Sequence, residues 1–106
     1  MNHWIFTGLD KSRIINAQSI VLSARNTFDF HGEFYKNRIR LCADTKKAIV
    51  YFMKKYTRLT LDEIGTHIGI TDHSSVIYLS GAAHDLIEVD SVFKNKIEQI
   101  KLDLKL

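Results

Sequence analysis

The sequence predicts an all-α fold of four to five helices with a helix-turn-helix, and three observations carry that expectation. The chain has no proline and only five glycines, which favours continuous helices joined by short turns. Apolar residues recur at spacings of three and four through most of its length, as on helices that bury one face. Within Leu61–Tyr78, LDEIGTHIGITDHSSVIY, one such stripe stops at a glycine and another starts after a short polar run, the layout of two helices joined by a tight turn. A length of 106 residues is that of one domain, so residues 1–106 are expected to form a single unit with its motif core at 36–87.

Residues 1–9 offer Trp4, Ile5 and Phe6 as apolar anchors ahead of the first helix. Lys11 to Arg25 reads as that helix, capped by Asp10. Its apolar stripe is Ile14, Ala17, Val21 and Ala24, with Ile15, Gln18 and Leu22 alongside. Phe28, Phe30, Phe34 and Tyr35 follow in a connector broken by Gly32, where alternation at Phe28 and Phe30 allows a short extended piece. Arg38-Ile39-Arg40-Leu41 alternates basic and apolar, as does a loop that projects its arginines and anchors Ile39 and Leu41. Asp44 or Thr45 starts a second helix reaching about Tyr56. Ile49, Phe52, Met53 and Tyr56 form its core stripe, and Lys46, Lys47, Lys54 and Lys55 lie off it.

Thr60 caps the helix that begins at Leu61, with Glu63 as its capping-box partner. Leu61, Ile64 and Ile68 share a face with Gly65, whose missing side chain admits another backbone. Gly69 stands where a helix end takes a left-handed residue. Asp72 and Ser74 are good cap and first-turn residues for the next helix. That helix runs to about Ile87 on a stripe of Val76, Leu79, Ala83 and Leu86. Ser91 caps a last helix carrying Phe93, Ile97, Ile100 and Leu104.

Charge is distributed unevenly. The net +3 contains a block at residues 36–58 with eight Lys and Arg against Asp44 alone, a net +7. Residues 1–35 are neutral and residues 59–106 carry −4. Alone, the basic block would read as a solvated lysine-rich face. Placed directly before a helix-turn-helix, whose shape fits the DNA major groove, it reads as a phosphate-binding surface, because each neutralised phosphate releases a counterion.

The wording of the motif is more specific than its shape. Leu61, Glu63, Ile64, Gly65, Gly69, Asp72, His73, Ser74, Ser75 and Val76 form an ordered set that resembles the DNA-binding domain of DnaA, the bacterial replication initiator, in the Trp-repressor-like group. The preceding stretch Ala43–Thr57, with Lys54 and Thr57, fits that family's preceding helix. The resemblance implies that Asp72, His73 and Ser74 face base edges from the start of a recognition helix. It implies that Arg38 enters the minor groove, with Arg40 two residues on as the other candidate, and that Lys54 faces phosphate. Ser75 is expected to serve a phosphate or the helix start. The side chains suit these roles: Asp accepts from a cytosine amino group, Ser pairs with donor or acceptor, and Asp72 also caps the helix. This sequence departs from the family pattern at Thr71, where the family has arginine, and at Ile70, where it has a second glycine. It departs again at Asp62 in place of proline and at Gly81 and Ala82 in place of basic residues. Each lost positive charge weakens the salt-dependent part of binding.

Other functions find less support. No GxxxxGK[ST] run is present, so no nucleotide is expected. His67, His73 and Cys42 do not form a metal-ligand spacing, so no metal and no cofactor are expected. Ser, His and Asp at 72–75 are neighbours on one turn and do not make a triad, so an enzyme is not expected. A lone Cys42, no apolar run near ~20 residues and no secretory-type start point to the cytoplasm with no membrane contact, and the resemblance implies a bacterial protein. The expected function is sequence-preferring binding of double-stranded DNA by a small regulatory or replication-accessory protein. The rival is a protein-interaction module that keeps the helix-turn-helix as a scaffold and uses the acidic C-terminal half, so a protein partner stays open.

Overall fold

The computed structural model describes residues 15–35 and 37–106. Among them it shows five helices and no strand: α1 (Ala17–Phe28), α2 (Arg40–Tyr56), α3 (Leu61–His67), α4 (His73–Val89) and α5 (Ser91–Asp103). α2 is the central helix. Every residue from Ala48 to Met53 is buried, more than one stripe supplies, because α1 packs on one flank of α2 and α4 on another. α2 and α4 run antiparallel. Lys54, late in α2, lies beside Val76 and Ile77 at the start of α4. The Tyr51 ring meets His84 edge-on at 5.5 Å, and Arg40 at the start of α2 reaches Asp90 just past the end of α4. α5 closes the bundle against α4 and α1, with the Phe93 and Phe28 rings 5.8 Å apart.

The helix-turn-helix forms as its sequence dictates. Thr60 Oγ1 accepts from the Glu63 N–H at 3.2 Å and Glu63 Oε1 accepts from the Thr60 N–H at 2.8 Å, completing the capping box. Gly69 takes φ +71°, and the Ile70 N–H donates to Gly65 O at 2.9 Å. A Cβ on Gly65 would lie 2.3 Å from Ile70 O, so the turn is closed by the backbone approach that a glycine there permits. Ile64, Ile68, Val76, Leu79 and Ala83 are all buried in one core.

The boundaries of three helices differ from the sequence expectation. The start at Lys11, the Asp10 cap, Ile14 and the Trp4, Ile5 and Phe6 anchors lie outside the described residues. Within them α1 begins at Ala17, because Asn16 is extended and its side chain accepts from the Gln18 N–H. α1 then continues past Arg25 to Phe28, and Asp29 ends it in the left-handed region at φ 55°. Its buried face is Ile20, Ser23, Ala24 and Phe28, while Leu22 is 61% exposed. Phe28 has a place in the core against Phe93, which is why the helix does not stop earlier. Phe30 and Phe34 are buried, and the connector holds no extended strand.

α2 begins at Arg40, four residues before Asp44. The stretch Arg40–Leu41 is therefore first-turn helix and not loop. Cys42 and Thr45 are fully buried, the Thr45 hydroxyl donates to Leu41 O at 2.7 Å, and Arg40 pairs with Asp44 one turn on at 3.6 Å. Ile39 is 55% exposed and Leu41, 39% exposed, lines a surface cavity with Phe28 and Phe93, so neither is buried in the core. At the other end, Asp90 caps α5, accepting from the Val92 and Phe93 N–H groups, and Ser91 is the first helical residue. An aspartate two residues before the first free amides outcompetes the serine beside it.

Candidate nucleic-acid interface

The first turn of α4 gathers four of the expected residues on an exposed corner. Asp72 is the N-cap: Oδ1 accepts from the Ser74 N–H at 3.1 Å and Oδ2 from the Ser75 hydroxyl at 3.0 Å. Its carboxylate is thus engaged by its own helix and sits at the positive end of the dipole. Ser75 is half-buried by this bond, while His73 and Ser74 are exposed. His73 Nε2 hydrogen-bonds to Asp62 Oδ1, on the first turn of α3. The outward face of α4 continues through Ile77, Tyr78 and Gly81, all exposed, with nothing within 4 Å of where a Gly81 Cβ would be. His84 is exposed further along the helix, and Asp85 and Glu88 beside and beyond it turn the C-terminal half of α4 acidic.

Lys54 lies in a groove lined by Val50, Leu61, Ile64, Val76, Ile77 and Ser80, which places its stem one turn along α4 from Ser74. Arg38 is exposed just before α2. Asn37 brackets it: the Asn37 N–H donates to Phe34 O at 3.4 Å, and Asn37 Oδ1 accepts from the Ile39 N–H at 3.2 Å. Three residues back, the Tyr35 backbone packs on the helix-turn-helix turn, 3.3 Å from where a Gly69 Cβ would be. Tyr35, three residues before Arg38, therefore sits against the turn that leads to Asp72. Lys36, also in the basic block, is outside the described residues.

Arg40 is not brought to this corner. It is paired with Asp44 at 3.6 Å and Asp90 at 3.8 Å. Asp90 lies beyond α4, whose 17 residues span about 25 Å from the Ser74 end. Lys47 also pairs with Asp44, at 3.7 Å. The basic block is thus divided: part is offset by Asp44 and Asp90, and part flanks the start of α4.

Several contributors escape the sequence pattern. Arg25 counts only as a charge in the sequence. Here its Nη1 donates to Phe30 O at 3.2 Å and Gly32 O at 2.7 Å, and its guanidinium lies 4.1 Å over the Phe34 ring. It shapes the connector ahead of Arg38. The nearby aromatic-rich run is the one available signal. Ile77 and Tyr78 are exposed apolar positions on the open face of α4, legible from the buried stripe at Val76, Leu79 and Ala83. Among the described residues no cluster of three or more His, Cys, Asp or Glu could hold a metal ion, and no helix is long and apolar enough to cross a membrane. Cys42 is buried, and burial pushes its thiol up from the ordinary value.

Fold and site together define a helix-turn-helix domain with an exposed polar turn at the start of α4. No protein-family model matches the chain. Sixty-four residues are 34% identical to the chromosomal replication initiator protein DnaA of Wolbachia pipientis wMel, covering 60% of this chain and 14% of that protein. Seventy-one residues are 31% identical to DnaA of Flavobacterium psychrophilum, covering 67% and 15%. Seventy residues are 30% identical to DnaA of Bacteroides thetaiotaomicron, covering 66% and 15%. The chain spans about one seventh of the length of these curated relatives. The matched part is their C-terminal part, so the chain is similar to the C-terminal DNA-binding domain of DnaA.

Proposed function

We propose that this chain binds double-stranded DNA with sequence preference, inserting the first turn of α4 into the major groove. The observation that carries the reading is that corner itself. A capped α3, a left-handed Gly69 and an Asp72 cap hold His73 and Ser74 outward at the start of a long helix. Ser74 and His73 read base edges, and Asp72 fixes the turn while its carboxylate can also accept from a base amino group. Ser75 supports Asp72. Lys54 serves phosphate, and Arg38 enters the adjacent minor groove, where width and A·T content matter most. Arg40, held by two carboxylates at the far end of α4, is left out of the contact set. The role is that of a small regulatory or replication-accessory protein in the bacterial cytoplasm, with no catalytic, nucleotide or cofactor requirement.

The test is a titration against a selected duplex and a scrambled one at two salt concentrations. Ser74→Ala is expected to lose about 1–3 kcal/mol for the selected site and little for the scrambled one. Arg38→Ala is expected to weaken both, flatten the salt dependence, and lose preference at an A·T-rich flank. Wild-type protein that binds no duplex at low salt sinks the reading and favours an interaction module. Ile39, Val89 and Val92, exposed around Arg40 and Asp90, are where that module would dock.

A further inference from the structure

The contact between His73 and Asp62 joins two helices at the reading corner, and the proposed function does not use it. We infer that Asp62 is a positioning residue that sets base specificity: it holds the His73 imidazole as the Nε2–H tautomer, so that Nδ1 faces DNA as a hydrogen-bond acceptor. The first turn of α4 then selects a base that presents an amino group at that point. This rests on α4 being the groove-entering helix.

The chemistry follows from the two partners. An ionised carboxylate only accepts, so the proton in the Nε2–Oδ1 contact sits on the ring. A neutral imidazole protonated at Nε2 has its lone pair on Nδ1. Among the described residues the hydrogen bond of the ring is at Nε2, and the side chain is 56% exposed, which leaves Nδ1 as the nitrogen for a ligand. In the major groove adenine N6 and cytosine N4 donate, whereas guanine N7 and O6 and thymine O4 accept. An acceptor at Nδ1 pairs with the first pair and is repelled by the second.

Both partners are held in place by structure that does not depend on their contact. The Thr60–Glu63 capping box fixes the first turn of α3, where Asp62 sits, and Thr66 Oγ1 donates to Asp62 O at 2.9 Å. The Asp72 cap fixes the first turn of α4, and the Ile70–Gly65 backbone bond sets the angle between them. Asp72 is committed to Ser74 and Ser75, so it does not compete for the ring. Proline, which the resembling family pattern carries where Asp62 stands, offers no acceptor. As an exposed pair, with Asp62 75% exposed, the contact contributes little to folding. Its effect lies in which nitrogen carries the proton.

The experiment uses the full chain and the variants Asp62→Ala and Asp62→Asn. Both remove the same charge, but the asparagine carbonyl still accepts from Nε2–H. Long-range proton–nitrogen NMR on the free protein at neutral pH is expected to show His73 as the Nε2–H tautomer in wild type and in Asp62→Asn, and as a mixture in Asp62→Ala. A doubly protonated or Nδ1–H ring in wild type overturns the inference. Duplexes varied one base pair at a time are expected to show one position where wild type and Asp62→Asn favour adenine or cytosine by on the order of tenfold. Asp62→Ala is expected to lose that preference, while both variants bind scrambled duplex more tightly than wild type by a similar factor. Wild-type base preference in both variants would mean that Asp62 only repels phosphate, and the inference would fall with the DNA reading intact. Absence of any duplex binding by wild type would remove both, while the tautomer would still report the contact itself.

Discussion

The two ends of α4 use the same residue types to opposite effect. At the first turn, Asp72 turns its carboxylate back onto its own helix and leaves His73 and Ser74 outward. At the last turn, Asp90 receives the C-terminus of α4, caps α5 and pairs with Arg40 across from α2. One end is an exposed polar corner whose hydrogen bonds stay within the helix-turn-helix; the other is a junction whose charges pair across from α2. The difference teaches that a basic block in sequence becomes a surface only after the helices have decided which charges meet each other. Arg38 and Arg40 are two residues apart, yet Arg40 is paired with Asp44 and Asp90 at the junction while Arg38 is exposed ahead of α2.

The comparison breaks most severely at Gly65. Gly65→Ala would drive a Cβ against Ile70 O, closing off the turn that sets the first end of α4. A loss of about 3 kcal/mol or more is expected in urea unfolding. Ile68→Ala, in the core directly before that turn, is expected to cost about 2–4 kcal/mol, and a near-neutral effect would reject its burial. Asp90→Ala tests the junction end: about 1–2 kcal/mol should be lost through the α5 cap with duplex binding unchanged. Gly81→Ala lies between the ends on an open face and should stabilise α4 by about 0.5–1 kcal/mol, visible as a raised Tm. Smallest of all, Arg40→Ala should change stability by less than about 1 kcal/mol and leave the salt slope of duplex binding as it was. A drop in that slope as large as that of Arg38→Ala would return Arg40 to the interface.

The helix-turn-helix was legible because its signals are local. Thr60 and Glu63 find each other within one turn, Gly69 needs only its own backbone freedom, and the stripes at Ile64–Ile68 and Val76–Ala83 fix both inner faces. The start of α2 was not legible. Basic and apolar residues alternate at 38–41, and it is the burial of Cys42 and Thr45 by other helices that pulls Arg40 and Leu41 into the helix. The same holds for α1, where the core place of Phe28 moved the inner face to Ile20 and Ala24. At the candidate site, Asp72, His73, Ser74 and Ser75 could be brought together from sequence because they share one turn. The Asp62–His73 and Arg40–Asp90 contacts join residues far apart in the chain, and no spacing announces them.

The Arg25 clamp has a kinetic and entropic consequence for the segment ahead of Arg38. A guanidinium bonded to two carbonyls and stacked on Phe34 holds that segment before any ligand arrives, and Asn37 holds the residues on either side of Arg38. Were the segment to engage a ligand, the disorder it would otherwise surrender on association has already been given up during folding. If the segment carrying Arg38 binds DNA as proposed, removal of Arg25 should register as slower productive encounter and a larger entropic penalty, with the same contacts made at equilibrium.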